Sequence, residues 1–183
     1  MSAFERDSFG RALSQNQLIE QALSALGCLE HRGGCSADRD SGDGSGIMTA
    51  IPRDVLAPWF AENGLNMPES ERLGVGMVFL PQANPERADA KAHIEEIVNK
   101  YNIKILGWRT VPVRPEVLGR QARENQPYVE QILVTSPDLA GSQFDRLLYI
   151  ARSEVGKQLA DDFYFCSFSC RTLVYKGMVR GEI

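Results

Sequence analysis

Long apolar runs, a surplus of positive charge and a dense cysteine set are all missing from this chain of 183 residues. No apolar stretch approaches the ~20 residues of a membrane-spanning helix. The segment from Met1 to Asp7 is polar, unlike the apolar centre of a secretory signal. A cytoplasmic protein without a membrane partner is therefore expected. The formal net charge of −4 offers no electrostatic footprint for nucleic acid. Four cysteines are too few for a disulfide-built scaffold at this length and fit reduced thiols. There are two histidines, no Gly-x-Ser-x-Gly elbow, no Gly-Lys-Ser/Thr phosphate loop, no internal repeat and no low-complexity tract.

What is present is ordinary globular composition, 43% hydrophobic and 24% charged, in a chain long enough to bury a core as one domain. Leu18, Ile19, Ala22, Leu23, Leu26 and Leu29 recur at helical spacing, so a helix is expected from Gln15 to about Glu30, with Ser14 as its N-cap. Gly46–Ile51 reads as a strand, and Pro52 opens a helix that Asn63-Gly64 closes. Leu73–Leu80 is a nearly continuous apolar run, the pattern of a buried strand. A helix from Asn84 to about Tyr101 follows, then a long strand from Ile103 to Val113 bent at Gly107. Pro115 to Pro127 is a polar connection with one helical turn. Tyr128–Thr135 is a strand, Ser142–Leu159 a helix, and Phe163–Cys170 with Thr172–Lys176 a predicted antiparallel hairpin. Without strict βαβ alternation the class is α+β, helices covering one or two largely antiparallel sheets.

The most distinctive stretch joins the first helix to the first strand. Gly33, Gly34, Gly42, Gly44 and Gly46 are interleaved with Asp38, Asp40 and Asp43, a composition that gives tight bends and exposed N–H groups. It is not a dinucleotide loop, because it follows a helix and enters a strand. Nor is it a calcium loop: Asp43 occupies the glycine position and Thr49 the position of the bidentate glutamate. Cys28, His31 and Cys35 with Cys166 and Cys170 lack zinc-finger spacing, and packing is the expected role of Cys166 and Cys170 on one strand face. His93, among lysines and glutamates, is expected on a solvated helix face. No catalytic constellation and no metal site emerges from these residues.

The block His31-Arg32-Gly33-Gly34 through Asp38-x-Asp40-Ser41-Gly42-Asp43-Gly44-Ser-Gly46-Ile47 resembles the signature of the class II glutamine amidotransferase domain of glutamate synthases. Leu73–Pro81, Leu106-Gly107-Trp108-Arg109, Phe163-Tyr-x-Cys-Ser167 and Ser169-x-Arg171-Thr172-x-Val-Tyr175-Lys176 are similar in kind and order. The likeness covers about residues 15–178, closest to the bacterial or plastid type. It implies a four-layer αββα sandwich of the N-terminal-nucleophile hydrolase kind, of which this chain would be a part. It also implies a reaction in which an N-terminal cysteine thiolate attacks the glutamine amide, its own α-amino group serving as base. The ammonia then serves glutamate biosynthesis and nitrogen assimilation. FMN and an iron–sulfur cluster belong to other parts of the family enzyme, and no cofactor is expected in this chain. A plastid stroma would replace the cytoplasm in a photosynthetic eukaryote.

Two departures follow from the same resemblance. Residues 1–14 resemble a leader, with Glu5-Arg6-Asp7-Ser8 in its place, but Phe9-Gly10 stands where the family has Cys-Gly. Phenylalanine has no nucleophilic atom, so no catalytic residue is assigned. The oxyanion pair and the glutamine-carboxylate residues lie beyond the matched part, and residues 15–183 are expected to be a partial amidotransferase domain. Arg32, Gly33, Asp43 and Gly44 would shape the pocket floor near the missing nucleophile. Alternatively, Arg32 caps helix-end carbonyls or pairs with Asp38 or Asp43. The expected role is an amidotransferase segment inactive alone; the alternatives are a non-catalytic binding or regulatory domain, or a truncated product. Glutamine, a complementary synthase fragment and a second copy of the chain are the expected partners.

Overall fold

The structure is a computed structural model and describes residues 15–28, 41–42, 44–158 and 163–177. Its helices are α1 (Gln15–Cys28), α2 (Arg53–Glu62), α3 (Asn84–Lys100), α4 (Arg120–Glu124) and α5 (Gly141–Gln158). Its strands are β1 (Ser45–Ala50), β2 (Leu73–Leu80), β3 (Lys104–Thr110), β4 (Tyr128–Thr135), β5 (Tyr164–Ser169) and β6 (Thr172–Gly177). The class is α+β with antiparallel pairing, consistent with an N-terminal-nucleophile amidotransferase fold. Ser14, the expected cap of α1, lies outside the described residues, as does the Arg32–Asp40 part of the glycine loop. No described helix is long and apolar enough to cross a membrane. The chain divides into two compact units. One holds residues 1–45, 116–124 and 177–183, and within it lie α1 and α4. The other holds residues 46–115 and 125–176, which include the main sheet.

That sheet has the order β3-β4-β2-β5, every neighbouring pair antiparallel. In chain order its elements run β2-α3-β3-β4-α5-β5, a split βαβ arrangement. β2 sits inside because its apolar run has partners on both edges and on both faces. Leu73, Val75 and Met77 join Leu133, Leu56 and Phe60 of α2, and Leu173 of β6, in one buried cluster. Val78 and Leu80 join the opposite cluster with Ile132 and Val134 of β4. There α3 contributes Ala90, Ile94, Ile97 and Val98, and α5 contributes Phe144, Leu148, Ala151 and Val155. Those intervals of three and four residues place each set on one helix face.

Glycine is required twice in β2 by close approach. A Cβ on Gly74 would lie 2.7 Å from Val134 Cγ2 and 2.9 Å from Leu148 Cδ1. One on Gly76 would lie 2.6 Å from Ile132 Cγ2 and 2.8 Å from Phe165 Cε1. The bare backbone therefore lets α5 and the two phenylalanines of β5 settle onto the sheet.

The expected β5–β6 hairpin does not form. β5 pairs with β2, whereas β6 pairs with β1 in a separate two-stranded sheet. The turn between them carries the chain from one sheet to the other, and a side-chain bond, Val174 N–H to Ser167 Oγ at 3.0 Å, ties the two strands. The register also shifts in β5: Met77 pairs with Ser167 but Val78 with Phe165, leaving Cys166 as the extra residue of a bulge. Hence Phe165 and Phe168, three apart, share one face and stack at 5.3 Å. For the same reason Cys166 and Cys170 fall into opposite clusters rather than on one strand face. β3 ends at Thr110, short of the expected Val113, because Pro112 has no N–H to continue a ladder. Val111 still donates one bond to Val129 O at 3.0 Å.

Candidate functional site

Of the residues that the resemblance assigns to the pocket, Gly44 is described, whereas Arg32, Gly33 and Asp43 lie outside the described residues, as does Phe9. Gly44 has φ +112°, a backbone conformation that other residues rarely adopt. Just before it, Ser41 is buried, and its Oγ accepts the backbone N–H of Ala122 in α4 at 3.1 Å. The exit of the glycine loop is thus pinned through a serine hydroxyl to the first turn of a short helix.

The thiols of Cys166 and Cys170 offer no nucleophile in their present setting. Burial pushes the Cys166 thiol up to about 11. Burial does the same for Cys170, reinforced by the negative charge of Asp145, again to about 11. At neutral pH both are protonated thiols and poor nucleophiles. Cys28 is exposed on α1, and Cys35 lies outside the described residues. His93 is exposed on α3, as its polar neighbours imply, with Nδ1 2.9 Å from the Asp89 carbonyl oxygen. Among the described residues no group of three or more His, Cys, Asp or Glu side chains could hold a metal ion.

The turn that passes from β5 to β6 is instead built around Asp145 of α5. Its Oδ1 accepts Ser169 Oγ–H at 2.5 Å and Cys170 N–H at 3.0 Å. Ser169 Oγ in turn accepts the N–H groups of Arg171 at 3.0 Å and Thr172 at 3.2 Å. Cys170 Sγ lies 3.4 Å from the Gly141 carbonyl. A half-buried carboxylate that accepts the Ser169 hydroxyl and one turn N–H fixes the path of the chain at the crossing point. Sequence reading missed this role; the pattern Ser-x-Arg-Thr was visible, but its carboxylate partner lies 24 residues upstream.

The segment Leu106-Gly107-Trp108-Arg109 makes contacts on both faces of the sheet. Gly107, with φ +153°, lies under Trp59 of α2: a Cβ there would be 2.8 Å from Trp59 Cη2. Next along β3, Trp108 faces α3, where its Nε1–H donates to Glu95 Oε1 at 2.7 Å and Lys91 Nζ sits 4.6 Å from the ring centre. Lys91 also pairs with the buried Glu130 at 3.0 Å. Arg109 points to the other face and donates from Nη1 to Gln131 Oε1 at 2.9 Å. The stretch Gly107-Trp108-Arg109 thus serves both faces of the sheet in three consecutive residues.

The family of class-II glutamine amidotransferases matches residues 10–183. The chain belongs to that family. It is 60% identical over 187 residues to ferredoxin-dependent glutamate synthase 2 of Synechocystis sp., a match covering 98% of this chain and 12% of that protein. It is 45% identical to the chloroplastic ferredoxin-dependent glutamate synthase of Oryza sativa, over 91% of this chain and 11% of the relative. The chloroplastic/mitochondrial ferredoxin-dependent glutamate synthase 1 of Arabidopsis thaliana is 44% identical, over 90% and 10%. The chain therefore spans about a tenth of the length of these relatives. Among solved structures, the C-terminal domain of MgtC from Mycobacterium tuberculosis overlaps 63% of the chain and 97% of its own length, at TM-score 0.33 and 16% identity. That likeness is too distant to bear on function.

Proposed function

We propose that this chain is the glutamine-handling part of a ferredoxin-dependent glutamate synthase, the segment that shapes the chamber in which amide nitrogen is released. On its own it releases no ammonia. What carries the second statement is the setting of Cys166 and Cys170: both are buried, burial pushes both thiols up to about 11, and neither has an α-amino group to act as its base. In the resemblance the nucleophile's place falls on Phe9, which has no atom able to attack an amide. The flavin and iron–sulfur chemistry belongs to other parts of such an enzyme. The location is the cytoplasm, or the plastid stroma in a photosynthetic eukaryote. Ile47 and Met48 of β1, 45% and 68% exposed, support self-association or pairing with a complementary synthase fragment. A monodisperse monomer in light scattering speaks against the former.

The test is ammonia release from glutamine in two proteins. One is the chain as it stands, where none is expected. The other begins at position 9 as Phe9→Cys and continues through the chain into the remainder of a relative's amidotransferase domain. Release by the second protein supports the reading. Release by the first, or inertness of a folded second protein, overturns it.

A further inference from the structure

We propose that Arg109 and Gln131 form a carboxylate-binding site at the β3 edge of the main sheet. The register places Arg109, Gln131, Met77 and Ser167 in one row across β3, β4, β2 and β5, on the face that carries Leu133 and Val75. Gln131 is fully buried. Its Oε1 accepts Arg109 Nη1–H at 2.9 Å, and its Nε2 has no hydrogen-bond partner among the described residues. The amide orientation is forced, since exchanging oxygen and nitrogen would aim an NH2 group at a guanidinium. Arg109 is half-buried, and among the described residues Gln131 is its one hydrogen-bond partner. No carboxylate among the described residues pairs with it.

The result is a positive charge with unused N–H donors beside a buried NH2, flanked along β4 by Val129 and Leu133. Donors in such surroundings are costly to leave unmet. A cation is excluded by charge and an apolar ligand by the donors. A carboxylate supplies what both groups lack: negative charge and two coplanar acceptor oxygens, one for the guanidinium and one for the amide. Because β3 is an outer strand and Arg109 is half-buried, the site is approached from the Arg109 side. The carboxylate comes either from a small solute or from an Asp or Glu elsewhere in a longer protein. The proposal does not rest on the amidotransferase reading, since it is argued from the geometry of Arg109 and Gln131 alone.

The test follows the side-chain amide of Gln131 by 15N NMR, assigned through its disappearance in Gln131→Leu. Sodium formate, then glutarate, is titrated against sodium chloride at equal ionic strength. A saturable shift with formate is expected, with at least about tenfold weaker affinity in Arg109→Gln and a smaller loss in Arg109→Lys. In a longer protein, a formate response that persists assigns the carboxylate to a solute. A response that vanishes while the amide stays at its bound position assigns it to a side chain; both support the site. The proposal is overturned by a shift no larger than chloride gives, by stronger binding of inorganic phosphate than of formate, or by a long-lived water on Nε2 that formate does not displace. If Arg109→Gln does not fold, an unchanged affinity in Arg109→Lys and an unchanged amide shift with formate each overturn it.

Discussion

Gly76→Ala places one methyl group at the most crowded point of the sheet. Its Cβ would stand 2.6 Å from Ile132 Cγ2, 2.8 Å from Phe165 Cε1 and 3.0 Å from Phe168 Cδ2. None of these atoms ends a flexible chain: Ile132 is β-branched in β4, and the two rings stack on each other at 5.3 Å. Overpacking of this kind costs about 1–3 kcal/mol. Against it stands a gain of about 0.4–1 kcal/mol from restricting the unfolded chain. With three close contacts the upper half of the range applies, so a net loss of about 2 kcal/mol is expected. For a protein of this size that corresponds to a fall in Tm of about 4–8 °C. The assay is urea unfolding followed by circular dichroism, repeated in Phe165→Leu and in the double variant. Removing the ring should make the added methyl cheaper by about 1 kcal/mol, seen as coupling in the cycle. A neutral or stabilising Gly76→Ala would refute the claim that close packing, rather than chance, puts glycine there.

Gly107→Ala should cost about 1–3 kcal/mol, through its φ of +153° and the Trp59 ring 2.8 Å from the new Cβ; unchanged tryptophan fluorescence and stability would contradict this. Asp145→Ala should lose about 1.5–3 kcal/mol, and faster hydrogen exchange should appear in β6, because the Ser169 and Cys170 contacts hold the crossing turn. Asp145→Asn, which keeps an acceptor, should lose less. The Cys166 and Cys170 thiols are held protonated in the fold and ionise more readily once unfolded, so their contribution to stability is full below about pH 9 and is lost as pH rises through about 11. Alkaline unfolding scans of Cys166→Ala and Cys170→Ala should therefore show a shallower decline than the parent over that window.

Most element boundaries could be read from the chain because local signals were strong. Leu73–Leu80 and Tyr128–Thr135 are apolar runs closed by proline or turn residues, and both form strands over those residues. Asn84-Pro85 and the Lys100–Tyr101 end likewise bound α3. What the chain did not disclose is long-range. The bulge at Cys166 is a property of pairing with β2, not of the Phe163–Cys170 pattern, so its side-chain parity was misjudged. The turn where β5 and β6 part between two sheets is held by Asp145, a residue with no local sign of that role. The reason for Gly74 and Gly76 becomes visible once α5 and the phenylalanines of β5 are in place. The pairing of Arg109 with Gln131 depends on strand register across 22 residues of sequence. Arg32, Gly33 and Asp43 were named by resemblance, and of that set the described backbone includes Gly44.

The proposed inactivity is checked by intact-mass spectrometry after incubation with a thiol-directed glutamine analogue at pH 7.5, alongside a generic alkylating agent. No analogue adduct is expected on Cys166 or Cys170 in the folded protein, with full alkylation of both after denaturation. A stoichiometric, glutamine-protectable adduct on either thiol in the native state would contradict it.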